Sequence, residues 1–151
     1  MYSPVHLTGE DIEIVFCHNK SKKVYDLHNV NLYPGEKYYR GEEYHGFING
    51  LYTMRKGTHI SAFRTAYTQT IREFFGKEFD DAKLLTSLFA VISIKVLEPV
   101  FEGSTGQFAA DGHGEGYAIV TSFIADFVRK ELKNYLQKHS DIAGFIRKFL
   151  G

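Results

Sequence analysis

The chain has 151 residues, of which 44% are hydrophobic and 24% charged, values that fit one globular domain and exclude long disordered segments. Its 18 basic and 18 acidic side chains cancel, so it lacks the positive charge that a free-standing nucleic-acid binder usually carries. The single cysteine, Cys17, excludes an internal disulfide. Because the sequence shows neither a long apolar run nor a signal pattern, we expect a cytoplasmic protein with no membrane partner.

The N-terminal part of the chain predicts one clear strand. Residues 1–9 are interpreted as a lead-in to the domain. The segment Asp11–Cys17 alternates apolar with other side chains, as a half-buried strand does. Residues 18–41 contain turn residues without sustained periodicity, so they predict a long hairpin connection with a short extra strand near Lys23–Leu27.

The centre of the chain predicts a strand, a turn and a helix that pack as one unit. Aromatic and branched residues favour a single strand over Tyr44–Thr53. Gly57 is then expected to interrupt the regular structure, and Thr58 is expected to cap the helix that follows. Asp80 or Asp81 is expected to cap a short helical turn through Ser87. The apolar stripe of the central helix has helical spacing and consists of Ile60, Phe63, Tyr67, Ile71 and Phe74.

The last third predicts a strand, a loop and two helices. Both alternating sets of residues in Leu88–Leu97 are largely apolar, which indicates a central strand covered on much of both faces. Residues 102–116 hold five glycines and predict a loop. An amphipathic helix is predicted over Ala118–His139, and Ser140 or Asp141 is expected to cap a final helix. This order of elements predicts an α+β fold with helices on one sheet face.

Three segments, in the same order, resemble one protein family. The first is Ile48–Asp80, which contains Lys56-Gly57-Thr58-His59; the second is Val91–Glu102; the third is the helix Phe123–Leu132. Together they are similar to the second, or transducer, domain of bacterial type II DNA topoisomerase B subunits, the ATPase subunits of gyrase and topoisomerase IV. The resemblance implies a ribosomal protein S5 domain 2-like fold, in which helices cover a mixed β-sheet.

The resemblance also implies how the chain is organised. Residues 1–151 would be a single transducer-type domain and a fragment of a longer protein. The sheet and central helix would take about 10–101, a nucleotide-sensing loop about 102–117, and the C-terminal helices about 118–150.

In the resembled family, this domain couples ATP-driven dimerisation to the capture and passage of a DNA segment. The resemblance implies ATP and Mg²⁺ as cofactors of the full-length enzyme, with none held by this fragment. It implies DNA, bound weakly and without sequence preference, as a partner, together with the topoisomerase A subunit and a second B subunit. Because the chain contains neither the family's ATP-binding motifs nor its acidic metal-binding motif, the isolated fragment is expected to be inactive.

Arg64 is the candidate DNA-binding residue. By the resemblance, the arginine at this Phe-Arg position faces a basic cavity that can hold a duplex, where it would contact phosphates without reading sequence. The alternative from the residues alone is a solvated helix arginine. Gln69 stands where relatives often carry a second basic residue, which weakens the positive lining.

The motif Gly57, Thr58 and His59 has a structural interpretation as a tight turn that enters a helix. His59 is alternatively expected to hold the adjacent loop by a hydrogen bond. A role for it as a general base would need a nucleophile and an orienting partner, and the sequence shows neither.

The candidate nucleotide-sensing loop departs from the family. Relatives carry Gln-Thr-Lys where this chain has Ser104-Thr105-Gly106, and the family's lysine contacts the terminal phosphate of ATP. No Lys or Arg occurs between Val96 and Val128. Either Gln107 is a neutral substitute or nucleotide sensing is impaired, since a loop without a cation loses the charge-assisted part of a phosphate contact.

Other interpretations of the polar residues are weaker. Glycines 112, 114 and 116 precede a helix N-terminus, which can bind anions, but the P-loop lysine is missing. Asp111, His113 and Glu115 have a spacing that is a weak indication of a metal site. We therefore predict no catalytic residue and no metal ligand. Zinc-ligand spacing is also not recognisable in the set Cys17, His18, His28 and His45.

Two alternatives to the topoisomerase function remain open. One is a stand-alone protein-interaction module of the same fold, and the other is a small enzyme that uses His113 or His59.

Overall fold

The computed structural model describes residues 3–18, 27–28, 38–39, 41–54, 57–96, 101–102, 107–108 and 115–150. The described strands are β1 (Val5–Gly9), β2 (Ile12–His18), β3 (Leu27–His28), β4 (Tyr38–Tyr39), β5 (Glu43–Ile48), β6 (Leu51–Met54), β7 (Leu88–Ile94), β8 (Phe101–Glu102) and β9 (Gln107–Phe108). The described helices are α1 (Thr58–Phe75), α2 (Asp81–Leu85), α3 (Glu115–Lys138) and α4 (Ser140–Leu150).

A five-stranded mixed sheet forms the frame of the fold, with strand order β1-β2-β7-β5-β6. Neighbouring strands are antiparallel except for β5 and β7, which run parallel. The parallel pair is joined by a crossover through α1 and α2, as parallel strands require. Because α1 and α3 pack against each other and against one face of this sheet, the predicted α+β architecture is confirmed.

The first strand corrects the interpretation of residues 1–9 as a lead-in. β1 pairs with β2 along its whole length, from Val5 opposite Phe16 to Gly9 opposite Ile12. Val5 and Leu7 are buried while the residues between and after them are exposed. The period of two that identified β2 was therefore present in β1 as well.

The predicted single strand over Tyr44–Thr53 is wrong, because the chain reverses within it. β5 and β6 form an antiparallel hairpin whose two connecting residues are Asn49 and Gly50. Their φ angles are 53° and 82°. Positive φ at both central residues is the geometry that favours Asn-Gly in two-residue hairpin turns.

The central helix confirms its predicted stripe. Ile60, Phe63, Tyr67 and Ile71 are fully buried, and Phe74 packs at the edge of the core. Gly57 precedes α1 with φ 131°, a conformation that side chains disfavour. Thr58 is the first helical residue and not the cap that was predicted, since Gly57 occupies the cap position and offers no side chain.

The strand β7 is central in the sheet, as predicted, but its two faces differ. Its even-numbered residues are buried under the helices, whereas Phe89, Val91 and Ser93 on the other face are only half-buried. The predicted cover on much of both faces is therefore complete on the face under the helices and partial on the other. The strand also ends at Ile94, three residues earlier than predicted.

The remaining helices lie where they were predicted, with differences at their ends. The Asp80 side chain accepts a hydrogen bond from Ala82 N at 3.1 Å and caps α2. α3 begins at Glu115, so the predicted loop ends before residue 117. Ser140 is the first residue of α4, so neither it nor Asp141 precedes the helix as the predicted cap. No helix in the described part of the chain is long and apolar enough to cross a membrane.

Two short pairs of strands lie in regions predicted as connections. β3 pairs with β4 inside the predicted hairpin connection 18–41. β8 begins one residue before the predicted loop and pairs with β9 inside it. The short strand expected near Lys23–Leu27 falls almost wholly outside the described residues, which include only Leu27 of it.

Candidate functional site

Arg64 forms an ion pair with a buried carboxylate. Its Nε donates to Glu42 Oε1 at 2.8 Å and its Nη2 donates to Glu42 Oε2 at 3.0 Å. The Tyr44 hydroxyl also donates to Glu42 Oε1. The Glu42 side chain is fully buried and the Arg64 side chain is 18% exposed. Arg64 is therefore a paired residue at the edge of the core, and its interpretation as a solvated helix arginine is wrong.

A polar groove of about 230 Å³ lies beside Arg64 between α1 and α2. Thr65, Thr68 and Gln69 of α1 line it. Arg72, two turns further along the same helix, also lines it. The groove therefore offers hydroxyl, amide and guanidinium groups in one row along the polar face of α1.

The second arginine of the groove is also held by acids. Arg72 Nε donates to Glu78 at 3.0 Å, and its Nη2 donates to Asp81 and to the Phe79 carbonyl. Its guanidinium carbon lies 4.6 Å from the centre of the Phe79 ring. Carboxylates thus offset the positive charge of both arginines, which lowers the attraction of the groove for an anion.

His59 is a buried structural residue. Its Nε2 lies 3.0 Å from the Thr53 hydroxyl, which joins the start of α1 to β6. Burial lowers the pKa of His59 to about 3, so the imidazole is neutral at physiological pH. A Cβ on Gly46 would come within 2.2 Å of His59 Nε2, so β5 approaches this imidazole too closely for any side chain. The absence of solvent access argues against His59 as a general base.

Asn49 joins the β5–β6 hairpin to the segment after β7. Its side-chain Nδ2 donates to the Val96 carbonyl at 2.8 Å, and its Oδ1 accepts from Val96 N at 2.9 Å. Its backbone N donates to the Ile94 carbonyl at 2.9 Å. The amide side chain thus extends the parallel β5–β7 ladder by one step. The sequence interpretation missed this role, although the Asn-Gly dipeptide was a signal for the turn that positions it.

His18 belongs to a second buried polar group that the sequence did not reveal. Its Nδ1 lies 2.9 Å from the Ser87 hydroxyl and its Nε2 lies 2.8 Å from the Tyr67 hydroxyl. Burial lowers the pKa of His18 to about 3 and raises that of Tyr67. These three side chains join β2, α1 and the residue before β7. The neighbouring Cys17 is buried as well, and burial raises the pKa of its thiol.

Most of the candidate sensing loop lies outside the described residues. This holds for Ser104, Thr105 and Gly106, and also for Asp111 and His113. Gln107 is the first residue of β9, opposite Glu102 of β8. Within the described ranges, no three His, Cys, Asp or Glu side chains are grouped so that they could hold a metal ion.

Comparison with known proteins gives the family. A family model described as DNA gyrase B matches residues 10–150. The chain is 27% identical over 148 residues to the B subunit of DNA topoisomerase 4 from Borreliella burgdorferi, covering 98% of this chain and 21% of that protein. It is 36% identical over 114 residues to the B subunit of DNA gyrase from Cytophaga hutchinsonii, covering 70% of this chain and 23% of that protein. The chain thus spans roughly a fifth of the length of these relatives.

Solved structures agree on the fold. The 43K ATPase domain of Thermus thermophilus gyrase B superposes with a TM-score of 0.70 at 20% identity, covering 98% of this chain and 36% of that one. The topoisomerase IV ATP-binding domain of Francisella tularensis superposes with a TM-score of 0.66 at 20% identity, covering 97% of this chain and 38% of that one. With the family model matching nearly the whole chain, this protein belongs to the DNA gyrase B family of type II topoisomerase B subunits.

Proposed function

We propose that the chain is a transducer domain that couples ATP binding and dimerisation of a type II topoisomerase B subunit to DNA segment capture and strand passage. This proposal assigns the whole of 1–151 to one transducer-type domain with the S5 domain 2-like fold. The family match supports it over the stand-alone interaction module.

The observation that carries the proposal is the anchoring of the sensing-loop region at both ends. Before the loop, the Asn49 side chain fixes Val96 to the β5–β6 hairpin. After the loop, α3 packs along α1, and Lys133 Nζ donates to Glu73 Oε2 at 2.8 Å. A displacement of the loop by nucleotide would therefore act on the hairpin, on α1 and on the C-terminal helices together.

The loop itself would sense nucleotide without a cation. Ser104, Thr105, Gly106 and Gln107 occupy the family's sensing position, where the neutral side chains of Ser104, Thr105 and Gln107 can offer a phosphate only uncharged hydrogen bonds. We therefore propose weak coupling to ATP. ATP and Mg²⁺ would be bound elsewhere in the full-length protein, which would act in the cytoplasm with an A subunit and a second B subunit.

Arg64 is the proposed phosphate contact on DNA, with Thr65 and Gln69 beside it in the groove. A phosphate must compete there with Glu42, which already accepts from Nε and Nη2. Binding should consequently be weak and salt-sensitive. Arg64→Ala alone would not distinguish the loss of a DNA contact from a loss of fold stability. The double change Arg64→Met with Glu42→Gln removes both charges, so its DNA affinity at low salt is the cleaner test.

The proposed function is tested in a chimaera. Residues 10–150 would replace the matching segment of the Borreliella topoisomerase IV B subunit, and ATP hydrolysis and decatenation would be measured with its A subunit. ATP-dependent strand passage is expected, with fewer passages per ATP hydrolysed than in the unmodified Borreliella enzyme, because the sensing loop lacks a cation. Asn49→Ala in the chimaera should lower strand passage per ATP hydrolysed. A chimaera that dimerises and hydrolyses ATP but passes no DNA would contradict the proposal.

A further inference from the structure

A relay of three side chains lies on the sheet face that α1 and α3 do not cover. Glu43 and His45 alternate with buried residues along β5, so both point to this open face. Tyr52 lies on the neighbouring strand β6. None of the three takes part in the proposed coupling. They form a separate site.

The hydrogen bonds of this relay fix the tautomer of the histidine. His45 Nε2 lies 2.7 Å from Glu43 Oε2, and His45 Nδ1 lies 2.8 Å from the Tyr52 hydroxyl. A carboxylate only accepts hydrogen bonds, so Nε2 carries the proton toward Glu43. In neutral imidazole Nδ1 is then the acceptor, and the Tyr52 hydroxyl donates to it. This is the order of groups that activates a hydroxyl nucleophile: an orienting carboxylate, a base and an O–H donor.

The relay is accessible from solvent yet partly enclosed by rings. The side chains of Glu43 and His45 are 37% and 26% exposed, and Tyr52 is 43% exposed. The Phe89 ring lies 5.5 Å from the His45 ring, and the Phe47 ring lies 5.4 Å from the Tyr52 ring, between centroids. Apolar neighbours reduce competition from water and strengthen the bonds of the relay. Tyr52 nevertheless keeps enough exposed surface for a small reagent to approach it.

We propose that Tyr52 is a nucleophilic tyrosine that is acylated on its phenolic oxygen by activated acyl donors, such as acyl phosphates. The phenolic oxygen attacks the acyl carbon and forms an ester bond, while the bond from that carbon to the leaving group breaks. The phenol proton passes to His45 Nδ1. Glu43 stabilises the imidazolium that results, and the proton then leaves to water or to the leaving group. No change of oxidation state is involved.

Two other tyrosines of the same chain serve as internal references. The Tyr44 hydroxyl also has a polar partner, Glu42, but the residue is fully buried and no reagent reaches it. Tyr135 is half-buried, and its ring stacks on His139 with the ring centres 3.9 Å apart. His139 Nδ1 donates to the Tyr135 backbone carbonyl, so this nitrogen cannot accept from a phenol. Tyr135 therefore has a histidine neighbour without a base at its hydroxyl.

N-acetylimidazole is the probe that tests this proposal. The purified chain would be labelled for short times and the acetylation rate of each tyrosine read by peptide mass spectrometry, with removal by hydroxylamine identifying phenol esters. General-base assistance typically contributes about 10²–10⁴-fold. We expect Tyr52 to react at least about tenfold faster than Tyr135.

The variants separate activation from simple exposure. His45→Gln should slow acetylation of Tyr52 about tenfold or more and leave Tyr135 unchanged. Glu43→Gln should slow Tyr52 by a smaller factor, since the base is still present but less well held. His6→Gln is the matched control, because His6 lies on the same sheet face but contacts Thr8 and Glu13. Equal rates for Tyr52 in the wild-type chain and in His45→Gln, or equal slowing of both tyrosines, would overturn the proposal.

Discussion

Arg64 on the central helix and Glu42 just before β5 are joined by two hydrogen bonds, although 22 residues separate them in sequence. The carboxylate is fully buried and also receives the Tyr44 hydroxyl. Because both oxygens of Glu42 lie away from water, their charge depends on Arg64 for compensation. The pair therefore ties the start of α1 to the sheet, whatever else Arg64 does.

Removing one partner of this pair should destabilise the fold strongly. Arg64→Ala leaves a buried carboxylate without its main cation, and we expect the free energy of unfolding to fall by about 3–5 kcal/mol. Urea denaturation at neutral pH measures it. The double variant Arg64→Met with Glu42→Gln should recover much of the lost stability, since the new amide oxygen would still accept from Tyr44.

Arg129→Ala is the matched control, because Arg129 is 52% exposed, and a change below about 0.5 kcal/mol in the free energy of unfolding is expected there. If Arg64→Ala and Arg129→Ala lowered the free energy of unfolding by similar amounts, the argument from burial would be contradicted.

The contribution of Asn49 to stability can be separated into that of its turn conformation and that of its two side-chain hydrogen bonds to Val96. Asn49→Gly keeps the left-handed turn but removes two hydrogen bonds, each with a net contribution of about 0.5–1.5 kcal/mol. Asn49→Ala should cost about 1 kcal/mol more, because alanine is strained at positive φ. Amide exchange is expected to quicken at Val96 and to stay unchanged at Lys95, whose N–H donates to the Asp11 carbonyl. Unchanged exchange at Val96 would show that Asn49 does not hold this segment.

The sequence predicted several elements in which one periodicity ran without interruption, although the same alternation was missed in β1. The stripe of α1, the alternation in β2 and the long apolar pattern of α3 all appear in the structure because burial on one face imposes those periods. Prediction failed where a turn lay inside a continuous apolar run. Asn49 and Gly50 are flanked by Phe47, Ile48, Leu51 and Tyr52, so the run looked like one strand, although the Asn-Gly pair was visible.

The contacts of the candidate site could not be predicted from the sequence. Arg64 was identified as a functional candidate by resemblance, but its partner Glu42 lies next to a segment without periodicity that was interpreted as a connection. The same holds for His18, whose partners Tyr67 and Ser87 lie 49 and 69 residues away. Pairings of this kind depend on the tertiary fold, and no local spacing in the chain encodes them.

Two glycines predict opposite effects of the same substitution. Gly46→Ala would place a Cβ 2.2 Å from His59 Nε2 and 2.6 Å from Thr53 Oγ1, so we expect destabilisation of about 1–3 kcal/mol from overpacking. Gly144→Ala, within α4, meets no atom within 4 Å and should stabilise by about 0.5–1 kcal/mol through helix propensity. Thermal unfolding of both variants tests this. Stabilisation by Gly46→Ala would show that β5 and α1 do not pack closely at this glycine.

The purified chain is expected to hydrolyse no ATP. It carries none of the family's ATP-binding motifs. Phosphate release would be measured with and without Mg²⁺, before and after a final sizing column. Turnover above blank that elutes with the protein and scales with its concentration would contradict the expectation that the isolated chain is inactive.

The buried side chains of His18 and His59 predict that the fold loses stability in mild acid. Burial lowers the pKa of both His18 and His59 to about 3, from the ordinary value of 6.5. Between these values the unfolded chain binds a proton at each site that the folded chain does not, so stability rises with pH by about 1.4 kcal/mol per unit for each histidine. Two such sites give a slope of about 2.7 kcal/mol per unit from pH 4 to 6, which flattens above 6.5. Urea denaturation across this range measures it. His59→Gln should keep a hydrogen bond to Thr53 and halve the slope. An unchanged slope would show that the pKa of His59 is not lowered in the folded state.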